Sequence, residues 1–134
     1  DKAIGASLEA KLVVHTDEPV LKAALDKYAA ATNEVDELQY VFIASGVELV
    51  GTAEEATSMG TLASLTDATA QCTIGIAPAD GAKCDRCWKF YPGLSSGGSY
   101  PGTCDRCATV LTKMKFPPVE LTPATPEAEA WLTN

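Results

Sequence analysis

A single histidine, His15, stands in 134 residues, so a site built from histidine ligands or a histidine pair is excluded. No apolar run approaches the roughly 18–20 residues that cross a bilayer. No glycine-rich phosphate loop, nucleophile elbow or paired-carboxylate signature appears, and Glu54-Glu55 reads as a solvated face, so no catalytic centre is predicted. Basic residues are scarce, ten Lys and Arg against eighteen Asp and Glu, and the net charge of −8 weighs against a chain that binds nucleic acid along its whole length. The chain opens at Asp1 rather than Met and shows no secretory signal, which fits a processed protein or a fragment of a longer one.

What is present supports a folded domain, because 46% of the residues are hydrophobic. Leu8–His15 predicts a strand. Asp17 and Pro19 then open an amphipathic helix over 18–31, with Val20, Leu21, Ala24, Leu25 and Tyr28 recurring at helical spacing. Asn33–Leu38 reads as a short helix or a turn, and Tyr40–Ala44 as a buried strand that Gly46 interrupts and Val47–Val50 continues. Residues 51–68 read as a loop with at most a helical turn. Ala70–Ala77 predicts a third strand with Cys72, Ile74 and Ile76 on one face, where Cys72 serves as a small hydrophobe.

The remaining four of the five cysteines form two matched phrases, Cys84-Asp85-Arg86-Cys87 and Cys104-Asp105-Arg106-Cys107, sixteen residues apart. Each C-x2-C pair turns both sulfurs toward one point, and the gap lets the chain return to complete a tetrahedron, which is the pattern of a structural zinc site. Iron in a rubredoxin-like site uses the same donors. With all four positions filled by protein, no coordination site is left for a reacting water, so the zinc is structural rather than catalytic. The odd count with two tight pairs suits a reducing compartment better than a disulfide scaffold.

Charge singles out the same stretch. Residues 83–115 hold six basic and two acidic residues, +4, while the rest holds four basic and sixteen acidic, −12. Zinc with four thiolates brings the module to about +2. Such a module either faces an anionic partner or carries its lysines to balance the thiolates. Trp88, Phe90, Tyr91 and Tyr100 lie between the pairs. They suit either base stacking or a small core around the metal; Trp88 and Phe90 are assigned to the core, and Tyr91 and Tyr100 are left as candidate contacts. After Cys107, Ala108, Val110, Leu111 and Met114 predict a helix whose first turn carries Cys104 to Cys107 and whose N-terminus favours thiolates.

Ala79-Asp80-Gly81-x-Lys83-Cys84-x-Arg86-Cys87-Trp88, followed by Cys104-x-Arg106-Cys107, resembles the C-terminal zinc module of bacterial-type isoleucyl-tRNA synthetases, and Ile4-Gly5-x-Ser7-Leu8-Glu9-Ala10-Lys11 resembles the start of that region. The resemblance covers roughly residues 2–115. It implies a treble-clef or FPG-type finger with Cys84, Cys87, Cys104 and Cys107 as zinc ligands. It also implies a tRNA-facing surface using Arg86, Lys89 and Arg106, to which Tyr91 and Tyr100 are added as candidate contacts. The parent would be an isoleucine-tRNA ligase whose catalytic domains lie elsewhere.

The expected architecture is α+β: a small mixed α/β body over 1–78 with a few strands and one main helix, a four-cysteine finger over 79–115, and a Pro-rich acidic tail over 116–134. Within the tail, Glu127–Leu132 would form one helical turn. The expected role is tRNA positioning in the cytoplasm or in an organelle stroma or matrix. The Gly/Ser-rich loop at Ser95–Gly98, the acidic body and the tail set the chain apart from that family. They imply an alternative, a stand-alone derivative acting as a structural subunit of a larger protein assembly, with a plastid as one setting.

Overall fold

A computed structural model describes residues 3–29, 37–94 and 99–118. The chain divides into two compact units, Asp1–Gly93 and Leu94–Asn134. The expected Ser95–Gly98 loop tip, the end of the first predicted helix at 30–31, the Asn33–Asp36 segment and most of the acidic tail, including Glu127–Leu132, lie outside the described residues.

The first unit is built on a four-stranded sheet. A short 3-10 turn, Ser7–Glu9, leads into β1 (Ala10–Thr16). The helices α1 (Pro19–Ala29) and α2 (Glu37–Phe42) follow, and then β2 (Gly46–Leu49). Next come α3 (Ala53–Met59), β3 (Ala63–Asp67) and β4 (Cys72–Pro78). The strand order is β2-β1-β4-β3, with β1 parallel to β2 and antiparallel to β4, and β3 antiparallel to β4. The parallel pair requires a crossover, and the segment holding α1 and α2 supplies it.

Both faces of the sheet are covered along β1 and β4, while the edge strand β3 is exposed. On one, Val14, Leu25 and Leu38 form the centre of the core, joined by Leu12, Leu21, Phe42, Val47, Leu49, Cys72 and Ile74. On the other, α3 lies so close to β4 that a Cβ at Gly75 would sit 1.9 Å from the Ala56 carbonyl oxygen, and one at Gly60 would sit 2.6 Å from Gly75 Cα. Gly75 is opposite Val13 in register, and Ala56 and Val13 are almost wholly buried. The strand expected over Ala70–Ala77 is present with Cys72 and Ile74 in the core, as the alternation implies. Its other face, Thr73, Gly75 and Ala77, is the more deeply buried because α3 covers it. Burial, and secondarily Asp67, raises the Cys72 thiol above its ordinary pKa, so it stays protonated and packs as a hydrophobe.

Two expectations are corrected. Tyr40–Val41–Phe42 belongs to helix α2, not to a strand, and the strand begins only at Gly46. Leu38 and Phe42 stand one helical turn apart and both enter the core, while Tyr40 and Val41 face outward. Residues 51–68 are not a loop but helix, turn and strand. Thr52 accepts from the Glu55 amide while the Glu55 carboxylate accepts from the Thr52 amide, a complete capping box that starts α3. His15, expected to be without a functional role, is buried with Nδ1 3.2 Å from the Val50 carbonyl oxygen and Nε2 3.4 Å from Asp17 Oδ1.

Among the described residues, no helix is long and apolar enough to cross a membrane.

Candidate metal centre

The first cysteine pair sits in a hairpin that belongs to the first unit. Strands β5 (Ala82–Lys83) and β6 (Phe90–Tyr91) pair antiparallel, Ala82 with Tyr91 and Lys83 with Phe90. Between them the chain turns tightly: the Cys84 amide donates to the Lys89 carbonyl at 2.9 Å and the Trp88 amide donates to the Cys84 carbonyl at 2.9 Å. Two residues make the hairpin possible, one at its open end and one in its turn. Gly81 has φ +91°, and a Cβ there would lie 1.8 Å from the Tyr91 carbonyl oxygen, so only glycine fits. Trp88, just after the second sulfur, takes φ +65°, which is costly for a residue with a side chain.

The left-handed backbone at Trp88 corrects an expectation about the aromatics. Trp88 is 63% exposed, not part of a core around the metal, and the Lys83 ammonium lies 5.8 Å from its ring centre. Phe90 and Tyr91 are half-buried, and the Tyr91 hydroxyl lies 3.8 Å from Cys87 Sγ. A phenol at that distance stabilises negative charge on sulfur. Lys89 is buried: its Nζ donates to Gln39 Oε1 at 3.1 Å and stands 4.0 Å from the centre of the Tyr40 ring. The Phe90 amide donates to Ser45 Oγ at 2.8 Å, and the Ser45 hydroxyl in turn donates to the Leu8 carbonyl. Arg86 is exposed at the turn.

The second pair opens a helix. Cys104 is the N-cap of α4 (Asp105–Lys113), with extended backbone, and its carbonyl accepts from the Ala108 amide at 2.9 Å. Cys107 lies in the first turn and is fully buried. Both sulfurs therefore stand at the N-terminal end of α4, where the helix dipole favours negative charge. Thr103 Oγ1 donates to the Tyr100 carbonyl at 2.7 Å just before the cap. At the far end Phe116 N bonds the Leu111 carbonyl and Lys115 N the Thr112 carbonyl, a Schellman termination with Lys115 at φ +52° in place of the usual glycine. Tyr100 is buried, its hydroxyl donating to the Phe116 carbonyl. Arg106 is exposed on the first turn.

The sulfurs of Cys84, Cys87, Cys104 and Cys107 all lie within 4.8 Å of one another. Four sulfurs about 2.3 Å from one zinc ion stand roughly 3.8 Å apart, so the arrangement fits that ion with little adjustment. Three of the four cysteines are buried and the fourth is half-buried. All-thiolate donors without an open position are the chemistry of a structural zinc. Its work is to hold a fold, not to activate water.

The residues 81–110 match the model of a zinc finger found in FPG and IleRS. This chain carries an FPG/IleRS-type zinc finger. Its similarity extends well beyond the finger. The chloroplastic/mitochondrial isoleucine--tRNA ligase of Arabidopsis thaliana is 35% identical over 113 residues, 83% of this chain and 10% of that protein. The isoleucine--tRNA ligase of Acaryochloris marina is 35% identical over 118 residues, 85% of this chain and 12% of that protein. That of Nostoc sp. is 37% identical over 112 residues, 83% of this chain and 11% of that protein. The chain thus spans about a tenth of the length of the relatives it matches, and it is homologous to their C-terminal zinc-finger region.

The supports of the finger in the body are not evident in the sequence: Gln39, Tyr40 and Ser45 lie some 45–50 residues before the groups they hold. No local pattern signals them.

Proposed function

We propose that this chain is the tRNA-positioning accessory region of an isoleucine-tRNA ligase, and that the zinc finger supplies the contact. The observation that supports it best is the display of Arg86, Trp88 and Arg106, all exposed, on the one basic stretch of an acidic chain. Guanidinium groups bind phosphate through paired donors, and an exposed indole stacks on an unpaired base. Of the other candidate contacts, Tyr91 serves the metal through Cys87 and Tyr100 closes the end of α4, so both act behind the surface rather than on it. Lys89 acts in the same way, from its place against Gln39 and Tyr40. The ligation chemistry belongs to other parts of such an enzyme, and a reducing compartment, cytoplasm or organelle stroma, is where its thiolates persist.

The test is binding of isoleucine-specific tRNA to the zinc-loaded chain as a function of salt. Micromolar or tighter affinity at low salt, falling as salt rises, is expected, with each of Arg86→Ala and Arg106→Ala flattening the salt dependence by roughly one phosphate contact. Trp88→Ala should weaken binding without changing the salt slope. No measurable affinity at low salt defeats the reading.

A further inference from the structure

Lys89 is an unusual residue to find buried. Its stem is long, its charge is strongly hydrated, and lysine is almost never enclosed without a partner. Here it is 8% exposed, two residues after a metal-binding cysteine, and its ammonium reaches Gln39 Oε1 at 3.1 Å and the face of the Tyr40 ring at 4.0 Å. Both partners lie on α2, whose Leu38 is part of the central core. One residue further on, the Phe90 amide is held by Ser45, which is itself bonded to Leu8 ahead of β1. The hairpin that presents Cys84 and Cys87 is thus tied to α2 by a side chain and to the loop after α2 by its backbone. In turn, the Lys89 carbonyl accepts the Cys84 amide, so the residue whose ammonium is anchored on α2 also sets the turn that aims the first sulfur.

We propose that Lys89 is a clamp that makes the α/β body part of the metal site: seated on Gln39 and Tyr40, it holds Cys84 and Cys87 in zinc-binding geometry before the ion arrives. The body then raises zinc affinity through pre-organisation, because a half-site that is already ordered loses less freedom on binding. By reciprocity, zinc must stabilise α2 by the same factor. Neither consequence depends on what the finger contacts, so the proposal stands apart from the tRNA reading.

The experiment uses the whole 134-residue chain and two readouts. Zinc affinity is measured by competition with a chromophoric chelator, and amide exchange of residues 37–42 is followed with and without zinc. Lys89→Met keeps the stem and removes the cation; Tyr40→Leu removes the ring from a half-exposed position, so the sheet tolerates it. Each should lower zinc affinity about tenfold. The double variant should lose little more than either single one, since both break one contact. In the unaltered chain zinc should slow exchange in α2, and in Lys89→Met that slowing should vanish while far-UV circular dichroism shows the sheet intact. If Lys89→Met does not fold, Tyr40→Leu alone decides the matter. Unchanged zinc affinity in the variants that fold overturns the proposal, and so does exchange in α2 that is indifferent to zinc in the unaltered chain.

Discussion

The residues Cys-Asp-Arg-Cys occur twice, and the two copies fold differently. At 84–87 they make a tight turn between two short strands, with Gly81 and Trp88 both in left-handed conformations. At 104–107 they cap and begin a helix, with regular backbone on to Ala108. The same four side chains thus deliver sulfurs from two unlike scaffolds. The flanks decide which. The first copy is followed by Trp-Lys-Phe-Tyr, a short β-rich run that pairs back on Ala82–Lys83. The second is followed by Ala-Thr-Val-Leu-Thr-Lys, which continues as helix. A ligand motif fixes the donor atoms and the spacing within a pair, while the fold around it comes from its neighbours.

The strongest way to break the comparison is to take the metal away, by chelation or by Cys104→Ser. Structural zinc contributes on the order of 10–16 kcal/mol of apparent binding energy in small modules. Amide exchange should show α4 losing protection entirely, β5 and β6 keeping part of theirs through Ser45 and Lys89, and β1 and β4 unchanged. Equal loss throughout the chain would mean that the two copies belong to one cooperative unit. Next in size is Gly81→Ala, which forces a side chain against the Tyr91 carbonyl and should destabilise the first copy by about 3 kcal/mol, read as a drop in the denaturation midpoint of the hairpin's tryptophan fluorescence.

A matched pair of smaller changes tests the backbone difference directly. The residue after each second cysteine is replaced by glycine. Trp88→Gly relieves a left-handed side chain and should stabilise by about 1 kcal/mol, whereas Ala108→Gly loosens a helix and should destabilise by about 1 kcal/mol. Thermal melts moving in the same direction would contradict the assignment of the two scaffolds. The smallest contrast is between the aspartates. Asp105 lies in the first turn of α4 and Asp85 in a tight turn. Asp105→Ala should lower stability by about 0.5 kcal/mol through the helix dipole, and Asp85→Ala should do less.

The donor set was fully legible in the sequence, because spacing in a C-x2-C pair is a local property and four such sulfurs admit few other uses. The helix at α1 and the strands β1 and β4 were legible for the same reason, since their apolar periods are long enough to distinguish one repeat from another. Elements with short or hidden periods were not. In α2, Tyr40-Val41-Phe42 reads as part of a strand while Leu38 ends a segment that reads as a short helix or a turn, and only the four-residue step from Leu38 to Phe42 joins the two into one helix. In α3 the readable signal is confined to the start, where Thr52 and Glu55 stand at capping-box spacing, because the helix packs through Ala56 against glycine and so carries no hydrophobic stripe. All five residues of β3 are exposed, so this strand has no buried face to imprint an alternation. Trp88 and Tyr100 exchanged their expected places because exposure there follows from one φ angle and one long-range hydroxyl contact, neither written in composition.

Gly75 and Gly60 bring main chain against main chain where α3 crosses β4. In a library of random variants selected only for folded protein, these two columns should each retain a single letter, while Leu65, two-thirds exposed on β3, drifts freely. Repacking around larger side chains cannot compensate, because the obstacle at Gly75 is a carbonyl of the helix itself. The narrowest tolerance in the body would then belong to two residues that have no side chain to lose.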